Sequence, residues 1–236
     1  MRKVFLCDMN NKYILSASAL KLIAMCSMLT DHIGIMLVGT ELNHAVYYAF
    51  RGIGRLAFPI FCFLLVEGFV HTRSQVRYIL RILLTALISE IPYDLLNFGN
   101  LINMTHNNIL FTFVIALGML FLISKCVNKG TKGLLLTFGI VTLAAALAIV
   151  LNTEYSWRCI FIVAVFYIAR SNFIMRNITV AVVLLIDTTI TGIMALCSLI
   201  PVNGYNGEKG RIPNWVAYVF YPIHMIVLWG IDRFII

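Results

Sequence analysis

The sequence predicts an all-α, polytopic membrane helix bundle of about eight transmembrane helices, and three observations lead there. Of 236 residues, 61% are apolar and only 12% charged, with a mean hydropathy of +0.93; soluble domains run at roughly 45–50% apolar and about 25% charged. A water-soluble fold of this size leaves too much chain wet to hide that share of apolar side chains. A soluble enzyme, a disordered chain and a small disulfide scaffold are therefore excluded. Second, the apolar runs are long and continuous, as helices in hydrocarbon require, unlike the alternating segments of an outer-membrane barrel. Third, the basic residues gather on alternate connections, as cytoplasmic loops do. No repeat, low-complexity tract or domain boundary interrupts the chain, so residues 1–236 read as one integral-membrane domain.

Segments long enough to span a bilayer, roughly 17–25 residues, fall at 13–38, 46–70, 76–96, 108–126, 131–151, 156–169, 178–200 and 214–234. The first follows a polar stretch and has no small-residue cleavage site behind it, so it reads as a signal anchor. The second is in two parts, a start bearing Arg51 and Arg55 and then an apolar run from Leu56. The third bends at Pro92. The sixth is short and carries Arg158. With the N-terminus inside, the cytoplasmic side receives Arg2, Lys3, Lys12, Arg73, Arg77, Arg81, Lys125, Lys129, Lys132, Arg170, Arg176 and Arg233, and the outer side only Arg51, Arg55, Arg158, Lys209 and Arg211. That bias places both termini in the cytoplasm and residues 203–214 in an outer loop of a multi-pass cell-membrane protein. The net charge of +8 is then topology, and no nucleic-acid partner is expected. The six cysteines lack metal-like spacing and read as small buried hydrophobes, with neither a disulfide framework nor a metal site.

An ionisable side chain in hydrocarbon is costly and needs a partner or a wet cavity, which marks it for function. Lys21, Asp31 and His32 fall in the first span, Glu67 in the second, Glu90 and Asp94 in the third, Asp187 in the seventh and His224 in the eighth. Their concentration in the first three spans places a polar cavity there. Lys21 and His32 lie on nearly one helix face, about 16 Å apart along the axis, while Asp31 sits about 100° around from His32. Glu90 and Asp94 share a face at i,i+4; they fit a proton relay, a substrate amine site or ion pairs with Arg51 or Arg55. Arg73, Arg77 and Arg81 recur every four residues and drift about 40° per step. They serve either as cytoplasmic anchors or as a clamp for a phosphorylated ligand.

Leu20-Lys21-Leu22-Ile23-Ala24-Met25 followed by Thr30-Asp31-His32-Ile33-Gly34 resembles the opening of the TraX proteins, membrane acetylases of conjugative pilin. Gly54-Arg55-Leu56-Ala57-Phe58-Pro59-Ile60-Phe61 with Glu67-Gly68-Phe69, then Ser89-Glu90-Ile91-Pro92-Tyr93-Asp94-Leu95, continue the likeness in order. Asn108-Ile109-Leu110-Phe111-Thr112, Tyr205-Asn206-Gly207 with Gly210, and Phe220-Tyr221-Pro222-Ile223-His224 complete it. These proteins are in turn similar to a wider superfamily of membrane acyltransferases whose envelope members open with Arg, ten residues, then His; Lys21 and His32 stand at that spacing. Those members also carry a short-spaced arginine pair, which Arg77 and Arg81 resemble at one residue longer spacing.

The resemblance implies an acetyltransferase that takes acetyl-CoA from the cytosol and delivers the acetyl group to an amine or hydroxyl of an exported or envelope acceptor, a peptide N-terminus or a glycan. A thioester is already activated, so the protein need only position it, deprotonate the acceptor and steady the oxyanion. His32 is the expected base, with Asp31 holding charge or tautomer; an acetyl-histidine route stays open. Lys21, Arg73, Arg77 and Arg81 are expected on the coenzyme phosphates, and Arg55, Glu67, Glu90 and Asp94 in the acceptor cavity. No metal is required. A small proton-coupled transporter using Asp31, His32, Glu90 and Asp94 is the alternative, though no inverted repeat supports it. A non-catalytic scaffold leaves the Lys–Asp–His stripe unexplained. Membrane lipid is an expected partner, and homo-oligomerisation is left open.

Overall fold

The computed structural model describes residues 14–37, 44–103, 105–126, 130–186 and 190–234. They form helices α1 (Ala17–Met36), α2 (His44–Gly54), α3 (Ala57–His71), α4 (Gln75–Phe98), α5 (Ile109–Ser124), α6 (Gly130–Val150), α7 (Ser156–Ile168), α8 (Phe173–Leu185), α9 (Ile190–Ala195), α10 (Leu199–Asn203) and α11 (Trp215–Phe234). Starts are set by polar caps. Ser16, Ser74, Asn108 and Asn172 each accept a first-turn N–H of α1, α4, α5 and α8, satisfying donors the helix itself leaves bare. Gly99, at φ 70°, closes α4 on the Leu95 carbonyl, a left-handed cap that costs a glycine nothing. The two-part second span appears as α2 and α3. Arg55 and Leu56 carry the chain between them, and Pro59 falls in the first turn of α3, where its missing N–H is not needed.

Among the described residues, four stretches are long and apolar enough to cross a membrane: α1, the α2–α3 pair, α6 and α11. Helix α4 has the length, 24 residues, but carries Arg77, Arg81, Glu90 and Asp94. The middle of the bundle is α3, α5 and α7, where Ile60, Val66, Leu117, Leu120, Ile160 and Ile162 are fully buried. Helix α6 is the reverse: Leu134, Phe138 and Leu143 are about 70% exposed. Apolar side chains turned outward on that scale belong against lipid, and the protein is a helical membrane protein. Small residues let helices touch closely. A Cβ on Gly34 would lie 2.7 Å from Phe50, and one on Gly54 or Gly52 would collide with Asp31 or Met194.

The order of contacts corrects the expected topology. Lys21 bonds Asn214 at the start of α11, and His32 bonds His224 farther along it, so α1 and α11 run the same way. Arg176, in the first turn of α8, bonds Asn203 at the end of α10 at 2.8 Å, so the expected single span at 178–200 is an outward helix and a returning pair. Among the described residues the bundle has nine passages, and α1 starts at the end opposite to where α11 finishes. Hydropathy cannot separate two short apolar helices from one long one when only a brief turn divides them. Asp187, read as an intramembrane carboxylate, lies outside the described residues, as do Arg2, Lys3, Lys12 and Lys129. The parity change also moves residues 203–214. Expected at the outer face, they pack on the start of α1 instead: Ala17 and Ser18 donate their N–H to the Glu208 and Lys209 carbonyls at 2.8 and 3.1 Å.

Candidate active site

A cavity of about 390 Å3 runs between α1, α3, α4, α5 and α11. At the end where α1 begins, Lys21, Arg81 and Lys209 ring its mouth, with Glu67, His71 and Asn214. Its waist is apolar, formed by Met28, Phe61, Leu64, Ile82 and Phe113. At the far end it meets Asp31, His32, Glu154, Tyr155 and Tyr221.

The far end is built on α1 and α11. His32 Nδ1 lies 2.8 Å from His224 Nε2, and His224 Nδ1 lies 2.8 Å from the Phe220 carbonyl. A carbonyl only accepts, so His224 carries its proton on Nδ1 and offers a lone pair at Nε2. His32 must then donate from Nδ1, which leaves the lone pair of a neutral His32 on Nε2. The rings stack at 5.0 Å between centroids, and Phe220 covers His224 at 4.7 Å. His32 is thus fixed in tautomer and orientation by His224, whereas Asp31, expected to do this, is held by Arg51 at 2.7 Å. The second Asp31 oxygen, Oδ1, is buried with no hydrogen-bond partner and faces Gly54.

Glu154 and Tyr155 come from the turn between α6 and α7. Thr112 donates to the Glu154 carbonyl at 2.7 Å, the Ile109 N–H at the start of α5 reaches its side chain, and Tyr155 stacks on Phe58 with centroids 3.8 Å apart. Burial pushes the Glu154 carboxyl up to about 7; Asp31 adds to the rise, and Arg55 and Arg51 oppose it. Arg55 donates to the Tyr155 hydroxyl at 2.7 Å. Glu154, Tyr155 and Lys209 had no signal in the sequence, because each sits in a polar stretch that reads as a connecting loop.

Other expected residues are distributed differently. Arg81 lines the cavity mouth, but Arg73 and Arg77 do not; Arg73 lies exposed just before the Ser74 cap of α4 and Arg77 exposed on its first turn. The 40° drift of a four-residue step carries Arg77 off the face that Arg81 holds, and Arg73 precedes the helix altogether. Glu90 and Asp94 are outside the cavity wall too. Glu90 receives the backbone and side-chain N–H groups of Asn108, and Asp94 receives the Asn103 N–H at 2.7 Å. Both therefore pin the connection into α5, and among the described residues neither is hydrogen-bonded to His32. Glu67 sits at the Lys21 end, paired with Arg170 at 2.9 Å. Arg55 faces a second cavity rather than the first. Of the described cysteines, Cys62 and Cys159 face each other in the core with sulfurs 3.8 Å apart, as thiols.

Comparison with known proteins adds a family to this geometry. No solved structure matches the chain. A relative from Dichelobacter nodosus, described as a probable fimbrial assembly protein FimC of serogroup H1, is 27% identical over 241 residues, covering 93% of this chain and 97% of its own length. The family model described as TraX protein matches residues 16–232, from the cap of α1 to the last turn of α11 and so across every wall of the cavity. The chain belongs to the TraX family.

Proposed function

We propose that the protein is an acetyl-CoA-dependent acetyltransferase of the bacterial cytoplasmic membrane, acting on an amine or hydroxyl of an exported acceptor, a peptide N-terminus or a glycan. The observation that carries this reading is one cavity with a cationic mouth, an apolar waist and a tautomer-locked histidine at its far end. Lys21 and His32 stand eleven residues apart on α1, about 16 Å along its axis. A phosphopantetheine arm has a backbone of about a dozen bonds, the reach of about four extended residues, or ~14 Å. Phosphates held by Lys21, Arg81 and Lys209 would therefore set a thioester beside His32, with the apolar waist around the arm.

His32 Nε2 takes the proton as the acceptor nitrogen or oxygen attacks the thioester carbonyl, and the bond to sulfur breaks as the tetrahedral centre collapses. The same proton then passes to the departing thiolate. His224 holds the imidazole through this cycle, so its lone pair points one way without reorganisation. Asp31 Oδ1, buried and unpartnered, is placed to receive an acceptor N–H or O–H. The D. nodosus relative is named for fimbrial assembly, which supports a pilin-like peptide as acceptor.

The orientation follows the basic residues. The end bearing Lys21 also collects Arg73, Arg77, Lys132, Arg170, Arg176, Lys209 and Arg211, and the other end Arg51, Arg55, Arg158 and Arg233. Positive-inside placement turns the cationic mouth to the cytosol, where acetyl-CoA is. The test is incubation of purified protein in detergent with radiolabelled acetyl-CoA. Acetyl-CoA binding and slow hydrolysis are expected, together with their loss of turnover in His32→Ala. A wild-type protein that neither binds nor hydrolyses acetyl-CoA overturns the reading.

A further inference from the structure

The far end of the larger cavity is closed by two stacked rings. Phe58, in the first turn of α3, is 5% exposed and lies on Tyr155 with centroids 3.8 Å apart and planes 11° from parallel. Arg55 holds Tyr155 through its hydroxyl at 2.7 Å. Tyr155 keeps this position at φ 57°, in the left-handed region that residues with a side chain avoid unless their surroundings over-determine it. Behind the rings lies the second cavity, of about 300 Å3. Phe58 and Tyr155, with Glu154, line both cavities and so form the partition between them. Apart from its arginines, the second cavity is walled by Ile162, Val183, Leu184 and Ala195, side chains that suit an alkyl chain.

We propose that the Phe58–Tyr155 stack sets the length of the acyl group that the protein accepts, admitting about two or three carbons and refusing longer chains. The proposal rests on the acetyltransferase reading of the larger cavity. On that reading the coenzyme arm comes from the mouth, and its thioester stands beside His32. The acyl chain leaves the carbonyl on the side opposite the sulfur, so it runs on toward the closed end rather than back along the arm. Gly54 lines the cavity there, so close to Asp31 that a Cβ would collide with it, and the chain reaches Phe58 four residues later. The ring thus stands at the same end of the cavity as the base. Stacked rings in a close-packed interior yield little, and extra methylenes forced against them are unfavourable. An open apolar end would do the opposite, each added methylene strengthening binding about fourfold by its burial. The sign of the chain-length effect therefore reports whether the wall is there.

The test is displacement of tritiated coenzyme A from the purified full chain in detergent, by acetyl-CoA and by hexanoyl-CoA. Wild type is expected to bind hexanoyl-CoA at least about tenfold more weakly than acetyl-CoA. Phe58→Ala leaves a hole that its surroundings fill only in part; it joins the two cavities and is expected to bring the two thioesters within about twofold or to reverse their order. Phe58→Leu, which keeps an apolar side chain without the ring, is expected to show part of that change, and it decides alone if Phe58→Ala no longer binds the coenzyme. Leu184→Phe, which narrows the second cavity, is expected to restore the preference for acetyl-CoA when added to Phe58→Ala. Equal binding of the two thioesters by wild type overturns the proposal, as does a preference undiminished in Phe58 variants that still bind acetyl-CoA. A change in Phe58→Ala that Leu184→Phe leaves untouched overturns it too, because the longer chain then lies elsewhere. Failure of wild type to bind coenzyme A or acetyl-CoA removes the acetyltransferase reading and the proposal with it, whereas equal binding of the two thioesters leaves that reading standing.

Discussion

The two ends of the large cavity are built from different materials. The mouth depends on long cations: Lys209 and Arg81 are exposed, and Lys21 is tethered to Asn214. Such side chains keep many rotamers, so they gather charge without fixing geometry. The far end is assembled from rings and short polar groups held against one another: His32 on His224, His224 on Phe220, Arg51 on Asp31, Tyr155 on Phe58 and Arg55. The mouth is suited to capturing a ligand, and the far end to holding reacting atoms still.

That contrast can be broken by substitution, beginning where the effect is largest. His32→Ala should lower the rate of acetyl transfer by about 10²–10⁴, the usual worth of a positioned base, in a radiolabel assay at saturating acetyl-CoA; a loss below tenfold would remove His32 from the chemistry. His224→Ala should cost about 10–100-fold in kcat with the KM for acetyl-CoA little changed, because it frees the tautomer of His32 without touching the mouth. Arg81→Ala should act in the other way, raising the KM for acetyl-CoA about tenfold with kcat nearly intact. Arg77→Ala, one turn away and outside the cavity wall, should change neither by more than about twofold. Equal effects at Arg77 and Arg81 would mean that the whole arginine stripe binds the coenzyme.

The smallest effect is on stability. Glu154 has its carboxyl raised to about 7 from an ordinary value of 4.5, so between those values the folded protein holds a proton that the unfolded chain has released. Stability then falls as pH rises from about 4.5 to about 7 and is flat above. Thermal unfolding in detergent should show Tm falling by a few degrees over that window, and Glu154→Gln should flatten the slope.

Long apolar segments and the intramembrane charges were legible in the sequence because hydrocarbon tolerates so few alternatives. The two-part second span, the short sixth span and the stripe joining Lys21 to His32 all follow from length, breaks and the 3.6-residue period. What hydropathy could not resolve was the reversal between α8 and α9, since two helices of one composition read as a single run. That one miss set residues 203–214 at the opposite end from the start of α1 and hid Lys209 at the cavity mouth. The site was half legible for a related reason. His32 and Asp31 were visible as costly residues, but which partner each takes is a tertiary fact: His224 is 192 positions away from His32, and Arg51 is 20 from Asp31. Glu90 and Asp94 carry the same cost in sequence, yet serve a loop.

The brevity of α8 has a consequence for the membrane itself. With 13 residues it is about 20 Å long, against a hydrocarbon layer of about 30 Å, and it turns Ile174, Ile178 and Val182 outward. Lipid beside that flank must thin to meet it. The bilayer is therefore thinned along the α8 flank, whereas α6, with 21 residues and a length of about 31 Å, meets it at full thickness.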